Sequence, residues 1–361
     1  MLSPVPTPPI HDTPSTASTP VVTLLAALLG DSGSVWSALA PYTSAPDHEL
    51  APSPALDGAL HALVAVLQGA SAPPAVLAAA SRSLASTGKD GVLSARAADV
   101  RGVAQRAEGE LERAYAGIIL NRLLSAAGGA VAPQDDGGVP REGWPGGSPP
   151  PAVVALAAAA RPFPYVDHYV RLVAAEAAAL SAVVPVGRQG RADGGATLGL
   201  RLAFCGSGPL PLTGCLLAAA GAAASVTLID IDPSAVAASK RLLDVWTSLG
   251  ALRAGSVTVL CADATRVAFA VDPATMAGPA PPDTVAVVAA DVVFVAALLP
   301  TAAKTAIATR MATAAAAGED PDEVLGWFPS EILNSMELYG GGEGVHFLRT
   351  AARAALAKLP F

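Results

Sequence analysis

Apolar positions recur at helical spacing through the first part of the chain. The stretches "TPVVTLLAALL", "ALDGALHALVAVLQG", "PPAVLAAASRSLAS" and "AADVRGVAQRAEGELERAYAGIILNRLLSAA" read as helices, with Pro, Gly and Ser as punctuation between them. Residues 128–151, rich in Gly and Pro, read as a flexible linker. Helix then resumes over about 152–183, through "RPFPYVDHYVRLVAAEAAAL".

Beyond "GRQGRADGGAT" the texture changes to short apolar runs alternating with helical stretches. "LGLRLAFCG", "SVTLIDID", "SVTVLCADA" and "DTVAVVAADVVFVAAL" read as buried parallel strands, with "PLTGCLLAAAGAA" and "PSAVAASKRLLDVWTSLGA" as crossover helices. The tail "VHFLRTAARAALAKLPF" reads as a closing amphipathic helix. The expected organisation is a disordered arm over 1–20, an all-α N-terminal domain over 21–183, and a doubly wound α/β, Rossmann-like domain over 184–361.

Composition narrows the functional classes. Of 361 residues, 52% are hydrophobic and 14% charged, enough apolar surface for two cores. Much of it is alanine, which supports helices but specifies packing weakly, so the 4% of aromatic residues become informative where they cluster. A net charge of -8 argues against a nucleic-acid partner, since phosphate binding needs a surplus of Lys and Arg. Cys205, Cys215 and Cys261 show no CxxC spacing and read as reduced core cysteines. The five histidines are too scattered for a metal motif. No uninterrupted apolar run suggests a membrane span. The first 20 residues lack a secretory pattern. A cytoplasmic enzyme acting on a small molecule is the expectation, and the Pro/Ser/Thr-rich arm is also compatible with an organellar address.

Chemistry is expected at the carboxyl ends of the strands, where open parallel sheets bind ligands. In "FCGSGPLPLTG", Gly206, Ser207 and Gly208 form a turn that lets a ligand approach the backbone, and Pro209 suits a first helical turn. Asp230, 22 residues after Gly208, closes the second strand with Asp232 beside it; a carboxylate there can accept ribose hydroxyl protons. Asp263 ends the third strand, where it suits an adenine amino group. Pro211 stands where a dinucleotide loop carries its third glycine, so an adenosyl ligand without phosphates, S-adenosylmethionine, is favoured over a nicotinamide cofactor. Each of these residues also has an ordinary reading as a turn or helix-cap residue.

Several stretches together resemble the nicotianamine synthase family. "FCGSGPLPLTG" with "LIDIDPSAVAASKRL" is similar to that family's cofactor loop and second strand; "RPFPYVDHYVRLVAAE" resembles its aromatic segment, "RAEGELERAYA" its acidic helix, and "ADVVFVAALL" its fourth strand. The order is kept over roughly residues 95–304. The resemblance implies a methyltransferase-type fold. It also implies transfer of aminocarboxypropyl groups from S-adenosylmethionine, which is itself the substrate, onto an amine. Methylthioadenosine leaves, no metal is required, and the product is the metal chelator nicotianamine or a relative of it.

Such chemistry needs a neutral attacking amine and therefore a base. Glu108, Glu112 and Tyr115 stand at i, i+4 and i+7 on one helix face, and Tyr165 and Tyr169 one turn apart, with Glu176 on the same stripe as Tyr169. Glu108 and Glu112 are alternative bases. Tyr165 and Tyr169 are candidates to hold a sulfonium or orient the substrate. The ordinary readings are solvated helix charges and interdomain core. The chain departs from the family twice: Val166 replaces an expected tyrosine, and after "AALLPTAAKTAIATRMATAAAAG" a strand and a basic, aromatic segment are missing, so that "SEILNSMELYG" is expected as the final strand. Rival readings are a small-molecule methyltransferase on the same fold and a non-catalytic adenosyl-binding relative.

Overall fold

The structure, a computed structural model, describes residues 19–69, 91–126, 138–141, 143–144, 147–183, 191–192, 195–196, 199–270, 283–296, 299, 301–316, 325–329 and 345–349. Nearly all of the expected arm, the stretch "PPAVLAAASRSLAS", most of the expected linker, and "SEILNSMELYG" lie outside the described residues. The chain forms two compact units, Met1–Ser44 with Ala55–Val103, and Ala45–Pro54 with Ala104–Phe361.

Four helices come first: α1 (Thr19–Leu29), α2 (Val35–Leu39), α3 (Pro54–Gly69) and α4 (Gly91–Ala126). Ser34 caps α2, its hydroxyl oxygen accepting the Ser37 N–H at 3.1 Å. In the first unit the Arg96 guanidinium lies 4.1 Å from the Trp36 ring centroid and pairs with Asp31.

In the second unit follow α5 (Pro151–Ala159) and α6 (Val166–Val183), then the antiparallel pair β1 (Arg191–Ala192) and β2 (Gly195–Ala196). The α/β alternation then runs β3 (Arg201–Cys205), α7 (Leu212–Ala219), β4 (Ser225–Asp230), α8 (Pro233–Ser248) and β5 (Val257–Cys261). It continues through β6 (Val267–Ala270), β7 (Ala286–Ala289), β8 (Val292–Val295), α9 (Thr301–Ala316), β9 (Leu325–Pro329) and β10 (Val345–Arg349).

The main sheet has the order β10-β9-β8-β3-β4-β5 and is parallel except for β10, which runs antiparallel to β9. The chain winds outward from β3 through β4 to β5, then returns to lay β8 on the other side of β3. The switch point therefore falls between β3 and β8, and a ligand crevice opens beyond their carboxyl ends. This is the doubly wound α/β fold expected from the pattern.

Strand alternation divides the core between two faces. Leu202 of β3 belongs to the cluster with α5, α6 and α7, through Leu156, Val170 and Leu216; Ala203 and Cys205 face the other cluster with Ile307 and Met311 of α9. The helices α5 and α6 thus share one hydrophobic core with the sheet.

Three expectations change. The run "DTVAVVAADVVFVAAL" is two strands rather than one: β7 pairs with β6 in a separate parallel pair, and β8 enters the main sheet. The partner switch is at Ala290–Asp291, where the Ala290 N–H bonds to Ala270 C=O and the Asp291 N–H to Arg201 C=O. The opening of the tail, Val345–Arg349, is a strand rather than a helix, because its five residues pair along the whole of β9. Finally, Cys205 and Cys215 are buried as expected, but Cys261 is exposed, since β5 is the outermost strand of the sheet. Among the described residues no helix is long and apolar enough to cross a membrane.

Candidate active site

The glycine turn that follows β3 is held on three sides. The Gly206 N–H bonds to Ile229 C=O at 2.8 Å, the Gly208 N–H donates to Asp230 Oδ2 at 2.8 Å, and the Ser239 hydroxyl donates to Gly208 C=O at 2.8 Å. Gly206 and Gly208 have φ of 80° and 65°, the left-handed region that an L side chain rarely adopts. At Gly208 the absent side chain also makes room: a Cβ would come within 2.5 Å of Glu112 Oε2.

Pro211 is the N-cap of α7, which begins at Leu212, so Pro209 lies outside the first helical turn where it was expected. The glycine missing from the dinucleotide pattern has a counterpart one turn further on. A Cβ on Gly214 would stand 2.5 Å from Leu228 Cδ2, so Gly214 is what allows α7 to lie closely on β4.

Around this turn is a cavity of about 270 Å³. The glycine turn and Asp230 form one wall, Glu108 and Glu112 of α4 another, and Tyr169 and Glu176 of α6 a third. The floor is Phe204 and Phe294, cross-strand partners on β3 and β8 whose rings stack at 5.9 Å and 11°. The Tyr169 hydroxyl donates to Glu112 Oε1 at 3.2 Å. Ser207 Oγ is buried and has no hydrogen-bond partner among the described residues, leaving it for a ligand.

Four carboxylates face one cavity, and the electrostatics follow from that. Burial raises the Glu108 carboxyl from its ordinary 4.5 to about 7. Glu112 is pushed well above the usual carboxylate range by burial first, then by the charge of Glu108, with Asp230 adding to it; the Tyr169 hydrogen bond opposes the shift. A cationic ligand would relieve all of these costs, and an anionic one would add to them. Among the described residues no group of three or more His, Cys, Asp or Glu is arranged to hold a metal ion.

Of the residues expected at the site, Glu108, Glu112, Tyr169, Gly206, Ser207, Gly208 and Asp230 come together on this cavity. Tyr165 packs instead edge-on to Phe163, ring centroids 5.5 Å apart, and beside His168. Tyr115 also meets Phe163, at 5.4 Å, and Val166 is buried in the same core. Asp232 caps α8, accepting the Ser234 N–H at 2.8 Å, and pairs with Arg113 of α4 at 2.9 Å. Asp263 caps a short 3-10 turn and accepts both the N–H and the hydroxyl of Thr265.

Sequence reasoning missed the stacked Phe204 and Phe294, whose signal was their place one residue from the end of two parallel strands, and Gly214, whose signal was its position inside a buried helix. It also passed over Ile231, which is 66% exposed between the two acids of the β4–α8 turn, an apolar surface beside the crevice.

Solved structures of one protein match most of the chain at low identity. This chain is similar to MtNAS. A Glu-to-Gln mutant of MtNAS matches 86% of this chain and 84% of its own, with 18% identity and a TM-score of 0.49. The same mutant in complex with S-adenosylmethionine matches over 85% and 86%, with 16% identity and a TM-score of 0.45. MtNAS in complex with MTA and tNA matches over 79% and 86%, with 18% identity and a TM-score of 0.39. No protein-family model and no curated protein matches the chain.

Proposed function

We propose that this chain binds S-adenosylmethionine at the switch-point crevice and transfers its aminocarboxypropyl group to an amine. The observation that carries the reading is the pair Glu108 and Glu112, held over the glycine turn in a cavity with two further carboxylates. A sulfonium is a cation that such a cavity attracts, and the stacked phenylalanine floor offers it an aromatic face. Asp230, already bonded to the Gly208 N–H, retains lone pairs for ribose hydroxyls.

In this reading an amine attacks the carbon beside the sulfonium. The new C–N bond forms as the C–S bond breaks, the electron pair stays on sulfur, and neutral methylthioadenosine leaves. The ammonium formed must lose its proton, and Glu108, raised to about 7, is suited to take it near neutral pH. Because the leaving group is a neutral thioether, no metal is needed to stabilise it. Glu112, raised above the usual carboxylate range chiefly by burial and bonded to Tyr169, is suited to orient the substrate. A cavity of about 270 Å³ is near the lower end for small-ligand sites, which favours one adenosyl ligand at a time. The likeness of "FCGSGPLPLTG", "RAEGELERAYA" and "RPFPYVDHYVRLVAAE" to the nicotianamine synthase family supports nicotianamine or a related chelator as product.

The test is product analysis after incubation with S-adenosylmethionine alone. Methylthioadenosine is expected; S-adenosylhomocysteine would indicate methyl transfer instead, and binding by calorimetry without either product would indicate a non-catalytic adenosyl-binding protein.

A further inference from the structure

Arg113 follows Glu112 on α4 but turns away from the cavity. Its guanidinium donates to Asp232 Oδ2 at 2.9 Å and also pairs with Glu110. The Asp232 N–H donates to Asp230 Oδ1 at 2.9 Å, and Asp230 Oδ2 accepts the Gly208 N–H at 2.8 Å. Gly208 in turn faces Glu112 Oε2 across the space where a Cβ would stand. The contacts close a ring: Arg113, Asp232, Asp230, Gly208, Glu112, and back along the helix to Arg113.

We infer that Arg113 is a positioning residue, fastening α4 to the β4–α8 turn so that the Glu112 carboxylate is held over Gly208 and responds to what binds at Asp230. The inference rests on the adenosyl reading of the crevice for its catalytic consequence, but not for its structural one. Of the groups facing Glu112, Glu108 on α4, Glu176 on α6 and Asp230 on β4 are acidic, and Tyr169 is its hydrogen-bond donor. The Arg113–Asp232 pair lies outside the cavity and ties α4 to the turn that carries Asp230. Both partners are partly solvated, with 42% and 38% of their side chains exposed, so the pair adds little to global stability. Its effect is on placement, and small misplacements of a reacting group are costly.

The experiment compares the unmodified chain with Arg113→Met, Arg113→Lys, Asp232→Asn and the Arg113→Met/Asp232→Asn double variant. Asn preserves the helix cap. First, amide hydrogen exchange is followed without ligand over residues 204–214. Exchange is expected to accelerate about fivefold or more in Arg113→Met and Asp232→Asn, with Arg113→Lys closer to the unmodified chain. Second, methylthioadenosine release is measured with S-adenosylmethionine. The expectation is about a tenfold fall in kcat with a smaller change in KM, and a double variant no worse than the poorer single one. Unchanged exchange over 204–214 in Arg113→Met, or effects that multiply in the double variant, would overturn the inference. A chain that releases no methylthioadenosine defeats the proposed activity, and the exchange measurement alone then decides whether Arg113 holds the turn.

Discussion

Glu112 Oε2 lies 2.5 Å from the point where a side chain on Gly208 would begin. The glycine turn and the acidic helix are thus fitted to one another, and the turn's second glycine leaves room for the opposing carboxylate. Gly208→Ala is expected to fold, because the turn is at the surface of the crevice, but to displace Glu112 and strain a left-handed residue by about 1–2 kcal/mol. Calorimetry with S-adenosylmethionine should show affinity reduced about tenfold or more. Unchanged affinity would mean that Glu112 is free to move aside.

Gly214 gives a prediction whose sign is diagnostic. Gly→Ala inside a helix ordinarily gains about 1 kcal/mol. Here the new methyl would meet Leu228 Cδ2 at 2.5 Å and Val226 Cγ1 at 3.3 Å, both buried in the sheet. Overpacking of that kind costs about 1–3 kcal/mol, so Gly214→Ala should lower stability in urea titration.

The pH dependence follows from Glu108. Its folded-state value, about 7, lies above the ordinary 4.5 of the unfolded chain. The neutral carboxyl therefore favours the fold fully below about pH 4.5, and that contribution is lost as pH rises through about 7. Glu108→Gln, uncharged throughout, should match the unmodified chain in acid and unfold at a higher temperature above pH 7, by several degrees. Turnover should behave oppositely, rising through about pH 7 in the unmodified chain as the base ionises and falling about 100-fold in Glu108→Gln.

Asp291 marks where the chain passes from the small sheet to the main one. It accepts the Arg201 backbone N–H at 2.8 Å and the guanidinium at 2.9 and 3.1 Å, joining the starts of β3 and β8 and so fixing the two strands whose far ends form the crevice. Asp291→Ala should cost about 2 kcal/mol, read by thermal or chemical denaturation.

The strands β3, β4 and β5 were legible because each is a short apolar run ending in Gly or Asp, and the run of chemistry at their ends was legible with them. Asp230, Asp232 and Asp263 were all expected at the ligand, Asp230 for ribose with Asp232 beside it and Asp263 for adenine. Only the three-dimensional neighbours distinguish Asp230, which faces the cavity, from Asp232 and Asp263, which cap the turns beyond it. Tyr165 and Tyr169 were equally indistinct: one helical turn separates them, yet Tyr169 reaches Glu112 while Tyr165 packs on Phe163. The division of β7 from β8 was hidden because no Gly or Pro marks a turn at Ala289, Ala290 and Asp291; the signal was Asp291 itself, a charge inside an apolar run. "VHFLR" carries no period long enough to tell strand from helix, and its pairing with β9 is a tertiary fact.

The most direct test uses S-adenosylmethionine labelled separately in its methyl group and in its aminocarboxypropyl carbons, with no other substrate present. The methyl label is expected to leave with methylthioadenosine while the aminocarboxypropyl label accumulates in an amine product. Methyl label in the product, with S-adenosylhomocysteine as its partner, would contradict it.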